Sequence, residues 1–320
     1  MKKRGITFAG ACLFAFLFSV PFLPAESGNP IHIKDNLFCV DFPDDSHGWA
    51  IGYYGTVVTT GDGGKTWSFQ QLGKQKPLNR LDFVDPLNGW IVGYGPTILH
   101  TSDGGKTWSE QKISEEIFLL SAVKFVTEKK GWMAGEWGTI LYTENGGEKW
   151  ETQQSGDDAI LYNLDFADEL SGWAVGEFGR IFHTEDGGKT WVKQESGVEN
   201  VFFGCHAVDK ENVWLAGIDS MVLHTRDAGK TWEQVNTGIK QVIPFYDISF
   251  RDENNGVICG QGVVLFTGDG GKNWRPARMS SNINYIWLYG IGAISVLSVP
   301  EASAACSSAV RCPRSCADAR

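Results

Sequence analysis

Acidic residues at a regular spacing are the first residues of this chain that could do chemistry. A phrase that reads Thr-Gly-Asp-Gly-Gly-Lys-Thr-Trp in its first copy occurs six times, every 41 or 42 residues. Calcium loops need several oxygen ligands at alternating positions, whereas each phrase has one central Asp or Asn followed by a small residue. We therefore expect the acid to accept backbone N–H bonds within a turn, with the glycine two residues later at positive φ. The central residues are Asp62, Asp103, Asn145, Asp186, Asp227 and Asp269.

Histidines and cysteines are the other residue types that could hold a metal. His100, His183 and His224 each stand directly before the threonine of a phrase. They are predicted to lie on separate units, as strand-surface residues rather than as a cluster. Three cysteines near the C-terminus lack both a nearby histidine and the Cys-x-x-Cys spacing of zinc and haem sites: Cys306, Cys312 and Cys316. The sequence predicts no metal site and no cofactor.

The phrase is one part of a longer repeat. Each unit opens with an apolar alternation, continues through a polar turn into Gly-Trp-x-x-Gly, and reaches the phrase after a β-branched run. The opening strands are expected at 37–42, 78–83, 122–125, 161–166, 203–208 and 245–250. Four strands of period-two patterning joined by tight turns predict an antiparallel sheet, and about 40 residues per sheet is the size of a propeller blade. The predicted fold is all-β: a β-propeller of four-stranded antiparallel blades, with six clear blades and an incomplete seventh.

Two motifs recur in register and together carry a family resemblance. The phrase resembles the Asp-box, or bacterial neuraminidase repeat, whose acid and closing tryptophan hold a hairpin. The tryptophans are Trp67, Trp108, Trp150, Trp191, Trp232 and Trp274. With Gly-Trp-x-x-Gly before nearly every phrase, over roughly residues 30 to 290, the chain is similar to the photosystem II stability and assembly factor-like propellers. The resemblance implies an exported or lumenal, seven-bladed, non-catalytic scaffold that binds a partner polypeptide while a membrane complex is assembled.

The C-terminal part departs from this pattern. Another opening strand is expected at 284–288, but the following residues contain no Gly-Trp pair and no further phrase. We interpret the tail at 295–320 as a truncated or frame-shifted seventh blade, which bounds the propeller domain at 30–294.

The N-terminus and the charge indicate where the protein works. Lys2, Lys3 and Arg4 precede an apolar run at 6–23, and Ala25 is a small residue suited to cleavage. Residues 1–25 are therefore predicted to be a signal peptide, either removed or retained as a membrane anchor. The protein is expected to be exported to the periplasm or another extracytoplasmic compartment, as a monomer. The net charge of −10 argues against a nucleic-acid partner.

The turns between second and third strands form the predicted partner-binding surface. We expect their aromatic and charged side chains to share one rim with the links between blades and to dock an extended segment of a protein, such as a membrane-complex subunit. The alternative is that each aromatic side chain packs on the neighbouring blade. The predicted contact residues are Tyr53, Tyr54, Tyr94, Glu136, Trp137, Glu177, Phe178 and Arg180.

A glycan-binding or vestigial sialidase-like propeller is the alternative function. Sialidase-like catalysis needs three arginines around the substrate carboxylate, together with Tyr, Glu and Asp in the channel. Arginine is scarce in the repeats, and no Phe/Tyr-Arg-x-Pro signature occurs near the mature N-terminus. We therefore predict that the protein is not an enzyme, and that an arginine triad in the channel would contradict this.

Overall fold

Six four-stranded antiparallel sheets make up the chain at residues 37–74, 76–113 and 117–277, which are the residues that the computed structural model describes. Within each sheet the strands are ordered as they follow in the chain. The first strand of every sheet packs against the first strand of the next. The sheets are therefore the blades of a β-propeller ring, as predicted. The predicted signal peptide, the expected strand at 284–288 and the tail at 295–320 lie outside the described residues.

The first three blades have these strands. Blade 1 contains β1 (Leu37–Asp41), β2 (Gly48–Gly52), β3 (Thr56–Thr60) and β4 (Ser68–Gln71). Blade 2 contains β5 (Leu78–Phe83), β6 (Gly89–Gly93), β7 (Ile98–Thr101) and β8 (Ser109–Glu110). Blade 3 contains β9 (Leu120–Phe125), β10 (Gly131–Gly135), β11 (Thr139–Thr143) and β12 (Glu151–Gln154).

The last three blades repeat this arrangement. Blade 4 contains β13 (Leu161–Phe166), β14 (Gly172–Gly176), β15 (Arg180–Thr184) and β16 (Val192–Glu195). Blade 5 contains β17 (Phe202–Ala207), β18 (Val213–Gly217), β19 (Val222–Thr225) and β20 (Glu233–Gln234). Blade 6 contains β21 (Phe245–Phe250), β22 (Gly256–Gly260), β23 (Val263–Thr267) and β24 (Arg275–Pro276). Short 3₁₀ turns join the second and third strands of blades 1, 4 and 5, at Tyr53–Gly55, Glu177–Gly179 and Ile218–Ser220.

Some of the predicted strand bounds are wrong. The first strand of blade 5 lies one residue earlier than expected, because the fully buried Phe202 pairs with Gly217 as Leu161 pairs with Gly176. Blade 3 begins its first strand at Leu120, two residues before the predicted start. The apolar pattern alone misses such offsets because a bulge interrupts the pairing of the first and second strands in each blade.

The core consists of the interfaces between blades. Every residue of the second strands is buried, because these strands are paired on both edges and lie within the stack of blades. Trp132 of blade 3 stacks on Phe166 of blade 4, with ring centroids 3.7 Å apart. Trp90 and Phe125 stack in the same way at 3.5 Å across the joint of blades 2 and 3. Each blade therefore depends on its neighbours to cover its aromatic face.

The turn at each repeated phrase has the predicted hydrogen bonds. In blade 4, Asp186 Oδ1 accepts the backbone N–H of Thr190 at 2.9 Å, and Oδ2 accepts the Thr190 hydroxyl at 2.7 Å. Gly188 follows at φ +84°. In blade 3, Asn145 keeps the first bond, accepting the N–H of Lys149 at 3.0 Å. Such bonds lower the pKa of Asp103 to about 2. In the described part of the chain no helix has the length and apolar character needed to cross a membrane.

Candidate functional site

Exposed aromatic side chains gather on the rim formed by the turns between second and third strands. Trp137 is 70% exposed, Phe178 60% and Tyr54 57%, which is unusual for side chains of this size. Tyr53, Tyr94 and Phe118 are also exposed; Phe118 lies on the link between blades 2 and 3. We call these six residues the aromatic rim. Burial against a neighbouring blade therefore does not explain the most exposed of these side chains.

Three of the rim aromatics have a costly backbone conformation. Tyr54, Trp137 and Phe178 have φ values of 56°, 57° and 55°, in the left-handed region that bulky residues rarely enter. Such a conformation costs on the order of 1 kcal/mol or more per residue. It presents each ring outward at the tip of its turn. Strain together with exposure of a large apolar side chain is typical of binding sites.

The two other predicted tyrosines have contacts within or beside their own blade. Tyr53 packs edge-to-face on Phe38 of the first strand, with ring centroids 4.7 Å apart. The ammonium of Lys76 lies 5.5 Å from the ring centroid of Tyr94. Both side chains are therefore partly held in place while one face remains in contact with solvent.

The two predicted glutamates bond to the links between blades. Glu136 Oε1 accepts the backbone N–H groups of Phe118 and of Leu119, the latter at 3.3 Å. Glu177 Oε2 accepts the N–H of Ile160 at 3.2 Å. These carboxylates hold the links between blades in place next to the aromatic rim. Each of them already accepts backbone hydrogen bonds within the protein.

Arg180 lies beside a groove between blades 3 and 4. Its Nε donates to Asp157 Oδ2 at 2.6 Å, and its guanidinium carbon lies 6.0 Å from the ring centroid of Phe178. The groove has a volume of about 650 Å³ and is lined by Trp137, Gln153 and Asp158 among others. Trp137 and Arg180 thus line one groove, with Phe178 beside Arg180, whereas Tyr53, Tyr54 and Tyr94 lie on blades 1 and 2.

The central channel contains charged residues that sequence reasoning missed. Lys124 Nζ lies 3.4 Å from both Asp82 and Asp165, so that one cation joins blades 2, 3 and 4. These two carboxylates raise the pKa of the lysine. Desolvation by burial, followed by the charge of Asp82, raises the pKa of Asp41 to about 7.

Three channel carboxylates also bind the blade that follows their own. Asp41 accepts the backbone N–H of Phe83 at 2.8 Å, and Asp82 accepts that of Phe125 at 2.7 Å. Asp165 likewise accepts the N–H of Ala207 at 2.9 Å. The signal was present in the sequence, because these three acids occupy one repeat position at the end of the first strand.

The three repeated histidines lie on separate blades as predicted, but two of them are buried. His183 stacks on Trp173 at 4.4 Å, and His224 stacks on Trp214 at 3.7 Å. Their exposed fractions are 9% and 4%, so the prediction of surface residues is wrong for them. The tryptophan of the second strand lies directly opposite the histidine of the third strand and covers its ring.

The channel does not have the composition of a sialidase site within the described residues. Of the arginines in the ranges 37–74, 76–113 and 117–277, Arg80 is the one that lines the channel, and it pairs with Asp247. Over the same ranges no group of three or more His, Cys, Asp or Glu side chains could hold a metal ion. The predicted cysteine tail lies outside these ranges.

The fold and the repeated units define a β-propeller of four-stranded blades built from bacterial neuraminidase-type repeats. The family model for the photosynthesis system II assembly factor YCF48 matches residues 27–117, 70–156 and 150–244. The chain therefore belongs to this family. A comparison with curated proteins gave no match.

Solved structures show the same fold. The structure described as YCF48 bound to D1 peptide has a TM-score of 0.65 at 23% identity, over 81% of this chain and 87% of that one. YCF48 from Cyanidioschyzon merolae has a TM-score of 0.64 at 20% identity, over 79% of this chain and 88% of that one. The GH74 enzyme of Niastella koreensis is also similar, with a TM-score of 0.59 at 14% identity, over 76% of this chain and 45% of the enzyme. At such identities these likenesses establish the fold alone.

Proposed function

We propose that this protein is an exported, non-enzymatic scaffold that binds an extended segment of a partner protein on its aromatic rim. The observation that carries the proposal is the exposure of Tyr54, Trp137 and Phe178 in left-handed conformations on one rim. Rigid aromatic side chains bury a large area on binding and lose little conformational entropy, which makes them effective anchors.

Membership in the YCF48 family supports a protein partner. The related structure of YCF48 with a D1 peptide shows that a propeller of this fold can hold a peptide. By extension, the partner here is a subunit of a membrane complex, bound while that complex is assembled or stabilised. The groove of about 650 Å³ beside Trp137 and Arg180 offers room for such a segment.

The N-terminal sequence supports a proposal for the site of action. We propose that residues 1–25 direct export and are either cleaved or retained as an anchor, placing the monomeric propeller near a membrane. Mass determination of the protein recovered from periplasmic and membrane fractions tests this: a mass that lacks the first 25 residues or so supports cleavage. Recovery only from the cytoplasm with an intact N-terminus would contradict export.

An affinity pull-down from the host's own membrane extract, with mass spectrometry of the retained proteins, tests the partner. We expect an integral membrane subunit to be retained by the wild-type chain and lost with the triple variant Tyr54→Ala, Trp137→Ala and Phe178→Ala. The matched control is Leu87→Ala with Leu170→Ala, which removes two exposed apolar side chains from the opposite rim.

Melting temperatures distinguish binding from packing. The triple variant should melt close to the wild-type temperature, because its side chains are mostly in solvent. Retention of the same partner by the triple variant would refute the aromatic rim as the binding surface. Recovery of glycans in place of a membrane protein would instead support the glycan-binding alternative.

A further inference from the structure

The joints between early blades are closed by two recurring hydrogen bonds. The indole Nε1 of Trp90 donates to the Gly146 carbonyl of the next blade at 3.1 Å. The side chain of Gln111 donates to the same carbonyl at 2.8 Å. Trp132 and Gln153 repeat this pair on the Gly187 carbonyl, at 3.2 and 3.1 Å. At each of these two joints one turn carbonyl therefore accepts two donors from the preceding blade.

The joint between blades 5 and 6 departs from this pattern. Val235 stands where the glutamine would be, so that donor is missing. The indole of Trp214 also presents its other edge to the glycine of the turn. A Cβ atom placed on Gly271 would lie 2.2 Å from Cη2 of Trp214. A Cβ atom placed on the equivalent Gly105 would instead lie nearest to Nε1 of Trp49, at 3.0 Å. Within the part of the chain that the structure describes, Trp214 Nε1 donates no hydrogen bond. The Gly270 carbonyl consequently lacks both donors that close the earlier joints.

A cavity of about 210 Å³ lies at this joint, on the rim opposite to the aromatic rim. Trp214, His224 and Arg226 line it from blade 5, and Glu253, Asp269 and Lys272 line it from blade 6. We call it the blade 5–6 pocket. His224 is 4% exposed, and among the described residues neither of its ring nitrogens has a hydrogen-bond partner. An unpartnered buried imidazole is costly, which indicates a group that a ligand would satisfy.

Several side chains around the pocket are hydrogen-bond donors. The neutral imidazole of His224 has one N–H, Trp214 Nε1 has another, and Lys272 supplies an ammonium. Arg226 adds positive charge, shared with Glu233 at 3.0 Å on the outer surface. The carboxylate of Asp269 accepts hydrogen bonds from Thr267 and Asn273 in its own turn, and Glu253 is the second carboxylate of the lining.

We propose that the blade 5–6 pocket binds a carboxylate group, held by the His224 imidazole, the Trp214 indole N–H and the Lys272 ammonium. Charge-assisted hydrogen bonds from such donors are the strong class of hydrogen bond. The carboxylate can belong to a small free acid or to an acidic side chain of a polypeptide. The site is separate from the aromatic rim, so its test does not depend on the partner proposed above.

Titration of the isotope-labelled full chain with acetate tests the pocket by NMR. We expect saturable shifts of the Trp214 indole N–H and the His224 imidazole, assigned with Trp214→Phe and His224→Gln. The imidazole should also become easier to protonate when acetate is bound, because the anion favours the imidazolium. The charged groups that set this response are Arg226, Asp209, Glu253, Asp269 and Lys272.

Two variants make the test specific. Lys272→Met should weaken acetate binding about tenfold, which is the effect of losing one charge-assisted bond. The surface position of Lys272 keeps this variant informative if His224→Gln does not fold. His100→Gln is the matched control, because His100 stacks on Trp90, whose Nε1 is already bonded to Gly146. It should leave the acetate titration unchanged.

The source of the carboxylate is distinguished by parallel titrations with a short glutamate-containing peptide and with inorganic phosphate. Acetate binding without peptide binding assigns the pocket to small acids, and stronger peptide binding assigns it to acidic segments. Binding of phosphate alone, or no saturable shift of either resonance at millimolar concentration, would overturn the proposal. An unchanged affinity in Lys272→Met would overturn the assigned geometry.

Discussion

Arg80 Nη2 lies 3.2 Å from Asp247 Oδ1, so that an ion pair joins the first strands of blades 2 and 6, which are 167 residues apart in the chain. The side chains are 17% and 5% exposed. Both occupy the central channel, where desolvation makes an unpaired charge expensive. The pair links two blades that are not neighbours along the chain.

Removal of the Arg80 guanidinium should strongly destabilise the ring. We expect Arg80→Met to lower the free energy of unfolding by about 3–5 kcal/mol, because the Asp247 carboxylate stays buried without this cation. Urea denaturation measures the change. Arg226→Met is the control, since its pair with Glu233 is exposed and should contribute less than about 1 kcal/mol. Equal losses in the two variants would contradict a structural role for the channel pair.

Asp41 should make the protein less stable as the pH rises towards neutrality. Desolvation raises its pKa from 3.8 to about 7, so the folded state holds a proton that the unfolded state has released. The stabilisation is complete below pH 3.8 and is lost as the pH rises to about 7. Asp41→Asn should flatten this part of the stability profile, measured by urea unfolding at several pH values. The exposed Asp158→Asn serves as the control, and an unchanged slope in Asp41→Asn would refute the prediction.

His224 should make the protein less stable as the pH falls, over a pH range that overlaps with that of Asp41. Burial, and next the charge of Arg226, lower its pKa from 6.5 to about 4. The stabilisation from the neutral imidazole is therefore complete above pH 6.5 and is lost as the pH falls to about 4, by on the order of 3 kcal/mol. His224→Phe should remove this loss, since Phe266 occupies the equivalent position in blade 6. His100→Phe should remove less, because His100 is only half-buried; equal effects would argue against burial as the cause.

The turn of blade 4 depends on an acceptor rather than on a charge. Asp186→Ala removes the acceptor for the N–H and hydroxyl of Thr190, and should lower the melting temperature by a few degrees. Asp186→Asn should change it little, because Asn145 makes the equivalent backbone bond in blade 3. Differential scanning calorimetry of the two variants checks this. A similar drop in both would show that the carboxylate charge matters.

The sequence predicted the blades well because their determinants are local. The acid, the glycine and the tryptophan of each phrase lie within six residues, so one turn satisfies them without help from distant parts of the chain. The aromatic rim was predictable for the same reason: Tyr54, Trp137 and Phe178 occur in the same turn of blades 1, 3 and 4. Their exposure and left-handed backbone required the structure, because the pattern fits a packed side chain equally well.

The channel and the blade 5–6 pocket depend on contacts between units. Arg80 and Asp247 meet only after the strands are arranged around one axis, and no local pattern encodes a contact over such a separation. The burial of His224 follows from Trp214 above it, and the open pocket follows from the orientation of the Trp214 indole and from Val235 in place of glutamine. The amino-acid sequence by itself thus determined the repeated blade and its turns, through short-range hydrogen bonding and periodicity. Tertiary structure alone decided which charges pair and which joint stays open, because desolvation and packing act between distant residues.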